Sequence, residues 1–196
     1  MPPCEPDRDR RTGFTVELAG NQQPMRYVEL RRHTDNDGDR LSEQGITDAE
    51  SIGRDALRPP YSSFVSSGAA RATEVITIFR RATDQTEVPI TLEDGLRSAV
   101  EDRWREASKA AGKGASVEHM RAVDPGLVEQ EARVLGAALG RIFEALPDGG
   151  RALVVGHSPT NEAAVLGLTR HVIGPMGKGE GVLIVEDGGR YTVESL

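Results

Sequence analysis

The sequence predicts an α/β fold: a three-layer αβα sandwich with a mostly parallel central sheet. Two observations carry this. Short apolar runs alternate with longer segments of helical period, and strand-then-helix alternation places helices on both faces of a parallel sheet. One run, Arg151–Gly156 (RALVVG), is continuously apolar in its middle, as expected of a strand buried on both faces. A chain of 196 residues is long enough for one domain with a sizeable core.

Residues 1–24 are rich in proline and charge and are expected to form a partly disordered extension. Within them Phe14–Leu18 alternates like a short edge strand. Cys4 and Arg10 match the C-x5-R spacing of cysteine-dependent phosphatases. That chemistry is rejected, because Glu5, Asp7 and Asp9 would repel phosphate and no strand precedes the cysteine.

Residues 25–196 form the domain proper. Met25–Thr34 (MRYVELRRHT) reads as a strand, since Tyr27, Val28 and Leu30 suit a pleated surface, and it ends in Arg32, His33 and Thr34. Asp35–Arg40 stops it. Asp35, Asp37 and Asp39 imitate a calcium loop, but Arg40 stands where glycine is needed and Ile46 where a bidentate glutamate is needed, so a solvated turn is expected. Ser42 caps a helix whose inner face is Ile46, Ala49, Ile52, Gly53 and Ala56; Pro59-Pro60 ends it.

Tyr61–Ser67 is the second strand. A helix from Ala69 to about Arg81 follows, with Ala72, Val75, Ile76 and Phe79 facing inward. Glu87–Leu92 is a third strand, placed at an edge or bulge by Pro89. Glu93–Ala111 reads as one helix with Leu96, Val100 and Trp104 as its stripe, and Ala110–Ser116 as a loop without the P-loop pattern. His119 falls in an irregular region and reads as a surface or packing histidine. Asp124-Pro125 opens a long helix to Leu146, closed by Pro147–Gly150.

Arg151–Gly156 then ends in His157-Ser158-Pro159-Thr160 and a further helix, with His171 expected as its C-terminal cap. Gly174–Gly181 is a loop. Val182–Val185 and Tyr191–Leu196 form a hairpin through Asp187-Gly188-Gly189, and its edge is one surface that a homodimer could use.

Net charge is −7 and no basic face is visible, which argues against a nucleic-acid partner. Cys4 is the single cysteine, so no internal disulfide forms, and no apolar run reaches the roughly 18–20 residues of a membrane span. The charged N-terminus lacks a signal-peptide core, and a cytoplasmic protein without a membrane partner is expected.

Function is read from three strand ends. In open α/β sheets ligands bind beyond the carboxyl ends of strands, and there stand Arg32-His33, Ser66 with Arg71, and His157. An arginine beside a histidine is suited to gripping a phosphoryl group and attacking it. A cation such as Arg71 in the first turn of a helix opposes the helix dipole; it is either a solvated side chain or part of an anion site.

LRRHT (Leu30–Thr34), SSGAARATEV (Ser66–Val75) and LVVGHSPTN (Leu153–Asn161), in that order, resemble three signature segments of the histidine phosphatase superfamily, whose fold is phosphoglycerate mutase-like. The resemblance covers about Met25 to Leu196. It implies that His33 is the nucleophile, that Arg32, Arg71 and His157 hold the phosphoryl group with Thr34 and Ser158 beside them, and that no metal or cofactor is used. It makes Glu93 the general acid in preference to Asp94 and Glu101, unless Glu93 is an ordinary acid at a helix start. The substrate would be a phosphorylated small molecule or a phosphoprotein. Thr34 departs from the family's usual glycine or alanine. The long tryptophan-bearing loop of true mutases is missing, which favours a phosphatase acting on a phosphomonoester or phosphohistidine. Mutase-type transfer and non-catalytic binding of a phospho-ligand are the alternatives. Specificity is expected in Gln85–Pro125 and in Gly174–Gly181.

Overall fold

A computed structural model of the chain describes residues 25–196. The expected extension, the Phe14–Leu18 strand and the Cys4–Arg10 spacing lie outside the described residues. The elements run β1 (Arg26–Arg32), β2 (Asn36–Asp37), β3 (Arg40–Leu41), α1 (Glu43–Asp55), β4 (Ser63–Ser66), α2 (Ala70–Ala82), β5 (Ile90–Leu92), α3 (Glu101–Ala111), α4 (Val117–Val123), α5 (Pro125–Ala145), β6 (Arg151–Gly156), α6 (Thr160–Thr169), β7 (Gly181–Asp187) and β8 (Arg190–Ser195).

Six strands make one sheet in the order β5-β4-β6-β1-β7-β8. The first four are parallel; β7 pairs antiparallel with β1, and β8 with β7. Residue alternation along β6 divides the core. Leu153 and Val155 pack with Phe64, Ala72, Ile76 and Phe79 under α1 and α2. Ala152 and Val154 pack with Val28, Leu30, Leu135 and Leu139 on the opposite face, under α3 to α6. A strand buried on both faces and inserted between β4 and β1 has no polar side to show, which is why its sequence reads as unbroken apolar. No helix among the described residues is long and apolar enough to cross a membrane.

Several elements differ from expectation. The segment from Glu93 does not form one helix: a single 3-10 turn covers Asp94–Leu96, the chain runs extended at Arg97, and α3 starts only at Glu101. The Ser98 hydroxyl accepts from the Val100 amide at 3.0 Å, a local bond that competes with helix there. Val100 is therefore outside the helix and exposed, while Leu96 and Trp104 are buried as the stripe requires. His119 lies in a helix, α4, where its ring accepts from the Ser116 amide in a reciprocal cap. Arg170, in left-handed conformation, takes the position expected for His171 at the end of α6. Asp35–Arg40 folds as the small β2–β3 hairpin, turning at Gly38.

Candidate active site

The register of the parallel strands assembles the site. β1 and β6 pair Arg32 with Gly156, so the next residue of each strand, His33 and His157, emerges beside the other. Their ring centroids are 5.1 Å apart. β4 pairs Ser66 with Val155, which brings Ser67 to the same edge. Gly156 is needed for this arrangement: a Cβ there would collide with Asn161 Oδ1, the atom that accepts from the His157 amide at 3.2 Å.

His33 is 5% exposed. Its Nδ1 lies 2.7 Å from the carbonyl oxygen of Thr34. A carbonyl only accepts, so Nδ1 carries the proton and, in the neutral ring, Nε2 carries the lone pair. The Arg71 Nε–H donates to that Nε2 at 3.2 Å. Burial, and then the charges of Arg71, Arg32 and Lys178, push the imidazole down from its usual value to about 4. The ring is therefore neutral at pH 7.

His157 is fastened from the other side. Its Nε2 lies 2.8 Å from the Ser67 hydroxyl, and its Nδ1 is buried without a protein partner. Burial, followed by the charges of Arg71, His33 and Arg97, lowers it to about 3.

The two arginines differ. Arg71 sits in the first turn of α2, and its Nη1 donates to Asp39 Oδ1 at 2.7 Å. Asp39 Oδ2 also accepts from the Ala70 amide at 3.4 Å, so the anion at this helix start is the protein's own carboxylate, supplied by the β2–β3 hairpin. Arg32 donates from Nη1 to the Met176 carbonyl at 2.8 Å, while its Nε is buried and unpartnered. The neighbouring Arg31 turns to the other face and is used up by Glu29 at 2.7 Å and by the Gly179 carbonyl.

The loop 174–181 closes over the end of β1. The Arg32 amide donates to the Glu180 carbonyl and the Gly179 amide to the His33 carbonyl. Gly179 has φ of +78°, and a side chain there would meet Ile52 Cδ1, so both backbone and space demand glycine. Lys178 reaches Asp35 at 2.5 Å and adds its charge near His33.

The remaining expected residues are placed less simply. The Thr34 hydroxyl is 1% exposed at the residue level and donates to the Gly45 carbonyl at 2.7 Å, so its proton is turned into α1 and not toward the histidines. The Ser158 hydroxyl donates to Glu162 Oε1 at 2.5 Å. Glu162 is buried, which raises its carboxyl above the usual range, and its Oε1 also accepts from the Met176 amide. Glu93 accepts from Arg141 Nη2 at 2.7 Å, from Arg141 Nε at 3.3 Å and from the Gly95 amide at 3.0 Å. Both of its oxygens are engaged, and it does not line the cleft into which His157 and Arg71 open. Glu101 is the carboxylate that does.

Sequence reasoning missed Asp39, Lys178, Arg97, Ser67 as a histidine partner, and Glu162. Ser67 lay inside a quoted motif and Glu162 immediately follows another, four residues after Ser158; Asp39 comes from the hairpin that follows β1, and Lys178 and Arg97 are charges brought in by distant segments.

The arrangement of strands, helices and strand-end histidines can be compared with solved structures. The chain is similar to a phosphoglycerate mutase from Bacillus anthracis, with TM-score 0.68 and 21% identity over 89% of this chain and 94% of that one. The fold is phosphoglycerate mutase-like. YhfR of Bacillus stearothermophilus shares it at TM-score 0.60 and 17% identity, over 87% of this chain and 96% of that one. The putative phosphohistidine phosphatase SixA from Agrobacterium tumefaciens shares it at TM-score 0.51 and 20% identity, over 89% and 98%. No family model and no curated protein sequence matches the chain. Among the described residues no group of three or more His, Cys, Asp or Glu side chains is placed to hold a metal ion.

Proposed function

We propose that this chain is a metal-independent phosphatase that hydrolyses a phosphomonoester through a phosphohistidine on Nε2 of His33. One observation carries the reading. The Thr34 carbonyl fixes the proton on Nδ1, so a neutral, buried imidazole presents its Nε2 lone pair to an arginine, beside a second histidine. That is the state a nitrogen nucleophile needs at neutral pH.

In the first step Nε2 attacks phosphorus as the bond to the leaving oxygen breaks. Arg71 moves its Nε–H from Nε2 to a phosphoryl oxygen, trading a neutral acceptor for an anionic one, which is the stronger bond. Arg32 and the Nδ1–H of His157 are the other donors, and fixed donors aimed at developing charge are the main source of catalysis in such a site. Glu93 is left out of this step because its oxygens are held by Arg141 and Gly95; the leaving oxygen takes its proton from water in the open cleft. Water then attacks phosphorus, releasing inorganic phosphate and the neutral histidine. Binding a phosphoryl dianion between Arg32 and Arg71 offsets the cost of holding two cations near one buried ring.

The test is hydrolysis of an aryl phosphate with a chelator present, wild type against His33→Ala, together with trapping of an alkali-stable, acid-labile phosphoenzyme. Wild-type turnover that disappears in the variant is expected. Turnover that survives His33→Ala rejects the mechanism.

A further inference from the structure

One buried acid at the site has no task in the mechanism. Glu162, in the first turn of α6, is 2% exposed and does not line the histidine cleft. Its two oxygens are treated unequally. Oε1 meets the Ser158 hydroxyl at 2.5 Å and accepts from the Met176 amide at 2.7 Å. Oε2 is buried without a protein partner. An ionised carboxylate spreads its charge over both oxygens, and a bare buried one is costly. With a proton on Oε1, Oε2 becomes a neutral carbonyl oxygen, for which a missing partner costs less. The place for that proton is the Ser158 contact, because the Met176 amide can only donate.

The surroundings of Glu162 point the same way. Burial raises its carboxyl above the usual range and outweighs the groups that favour the charged form: Ser158 from its own turn, the Met176 amide from the loop 174–181, and Arg32 from β1. Arg32 is itself shared with Glu180 of that loop. Ser158, unlike Glu162, borders the cleft together with Arg71 and His157. A hydroxyl both donates and accepts, so Ser158 can take a proton from Glu162 while it gives up its own.

We propose that Glu162 stores the proton of the reaction and exchanges it with the cleft through the Ser158 hydroxyl. This rests on the reading that the phosphoryl group passes to His33. As the bond from phosphorus to the leaving oxygen breaks, the cleft water gives that oxygen a proton and takes one from Ser158, whose Oγ takes the proton of Glu162 Oε1. The alcohol leaves neutral, and Glu162 is left ionised with Ser158 donating to it. When water attacks the phosphohistidine and the N–P bond breaks, the proton of that water returns to Ser158 and on to Glu162. Each turnover restores the acid. Ser158 is the group at the reacting water; Glu162 is a positioning residue that acts through it.

Two esters that differ by one methylene test it: 4-nitrophenyl phosphate, whose leaving group needs little protonation, and 4-nitrobenzyl phosphate, whose alkoxide leaving group needs it. Glu162→Gln keeps the shape and an acceptor for the Met176 amide but has no proton to release, and Ser158→Ala breaks the route. Each is expected to lower kcat/KM for 4-nitrobenzyl phosphate by about 10²-fold and to leave that for 4-nitrophenyl phosphate within about threefold, since a positioned acid contributes on this scale. Hydrolysis of the phosphoenzyme slows in both variants, so 4-nitrophenol is released in a burst. In the wild type the ratio of kcat/KM for the benzyl ester to that for the phenyl ester falls as pH rises, because Glu162 must start protonated. That dependence is absent from Glu162→Gln. Equal effects on both esters, whether large or none, or a wild-type ratio that ignores pH, mark a merely structural carboxyl and overturn the proposal while the phosphatase reading stands. Where one variant gives no folded melt, the other variant and the wild-type ratio decide. A wild type that hydrolyses neither ester removes the phosphatase reading and this proposal with it.

Discussion

His33 and His157 end neighbouring strands, both buried and both held neutral, yet they are fastened in opposite ways. His33 is held at Nδ1 by a backbone carbonyl, and the same residue, Thr34, is tied by its hydroxyl to Gly45 in α1. No side-chain change at a distance removes that anchor. His157 is held at Nε2 by the Ser67 hydroxyl, which can donate or accept. A carbonyl imposes one tautomer; a hydroxyl permits either. A nucleophile must have its lone pair on a particular nitrogen, whereas a donor needs only a proton to offer. The difference in anchoring therefore follows the difference in proposed role.

Substitutions sharpen this contrast. His33→Ala is expected to remove activity altogether, a loss beyond about 10³-fold, because nothing else can form the covalent intermediate. His157→Ala should cost about 10²–10³ in kcat, the usual effect of deleting one transition-state donor. Ser67→Ala should cost about tenfold at most, since the His157 ring stays buried and loses only an orienting bond. These values come from steady-state kinetics on an aryl phosphate. Were Ser67→Ala as damaging as His157→Ala, the hydroxyl would be acting as more than a holder, and the contrast drawn here would fail.

The depressed pKa values make a separate prediction for stability. Unfolded histidine titrates near 6.5, while folded His33 and His157 do so near 4 and 3. Between these values the unfolded chain binds protons that the folded chain refuses. Their contribution to stability is thus complete above pH 6.5 and lost progressively as pH falls toward 4 and below. Thermal melts from pH 7 to 4 should show this decline, and it should be shallower in a His33→Gln/His157→Gln double variant. Parallel declines in the two proteins would mean that other groups dominate acid unfolding.

Much of this was legible in the sequence because the signals were local. β6 is a buried run with nothing polar in its middle, Ser42 caps α1, and Asp124-Pro125 opens α5, each written in neighbouring residues. The three strand-end segments were legible for the same reason. The acceptor for His33 was not, because any residue following the histidine supplies a carbonyl and no side-chain type marks it. Asp39 and Lys178 were not, because the hairpin and the loop that deliver them are positioned by tertiary packing. The segment after Glu93 misled for a physical reason: Leu96, Val100 and Trp104 keep helical spacing, but Ser98 and Glu93 bond to nearby amides and stop the helix from starting before Glu101.

Glu93 gives the smallest expected change and the most discriminating one. Its carboxylate joins the turn after β5 to α5 through Arg141 and caps the Gly95 amide, with Glu93 mostly buried and Arg141 largely exposed. Glu93→Gln keeps the shape and can keep the amide bond, so the loss is that of a half-exposed ion pair, about 1 kcal/mol or less in a denaturant melt. A general acid would behave otherwise. Its removal leaves aryl phosphates, whose leaving group needs little protonation, nearly untouched, and slows an alkyl phosphate by about 10²–10⁴. The expectation from the geometry is equal, near-unit effects on both substrates. A selective collapse of alkyl phosphate hydrolysis in Glu93→Gln would show that the Arg141 contact opens during turnover and that the carboxyl reaches the leaving oxygen after all.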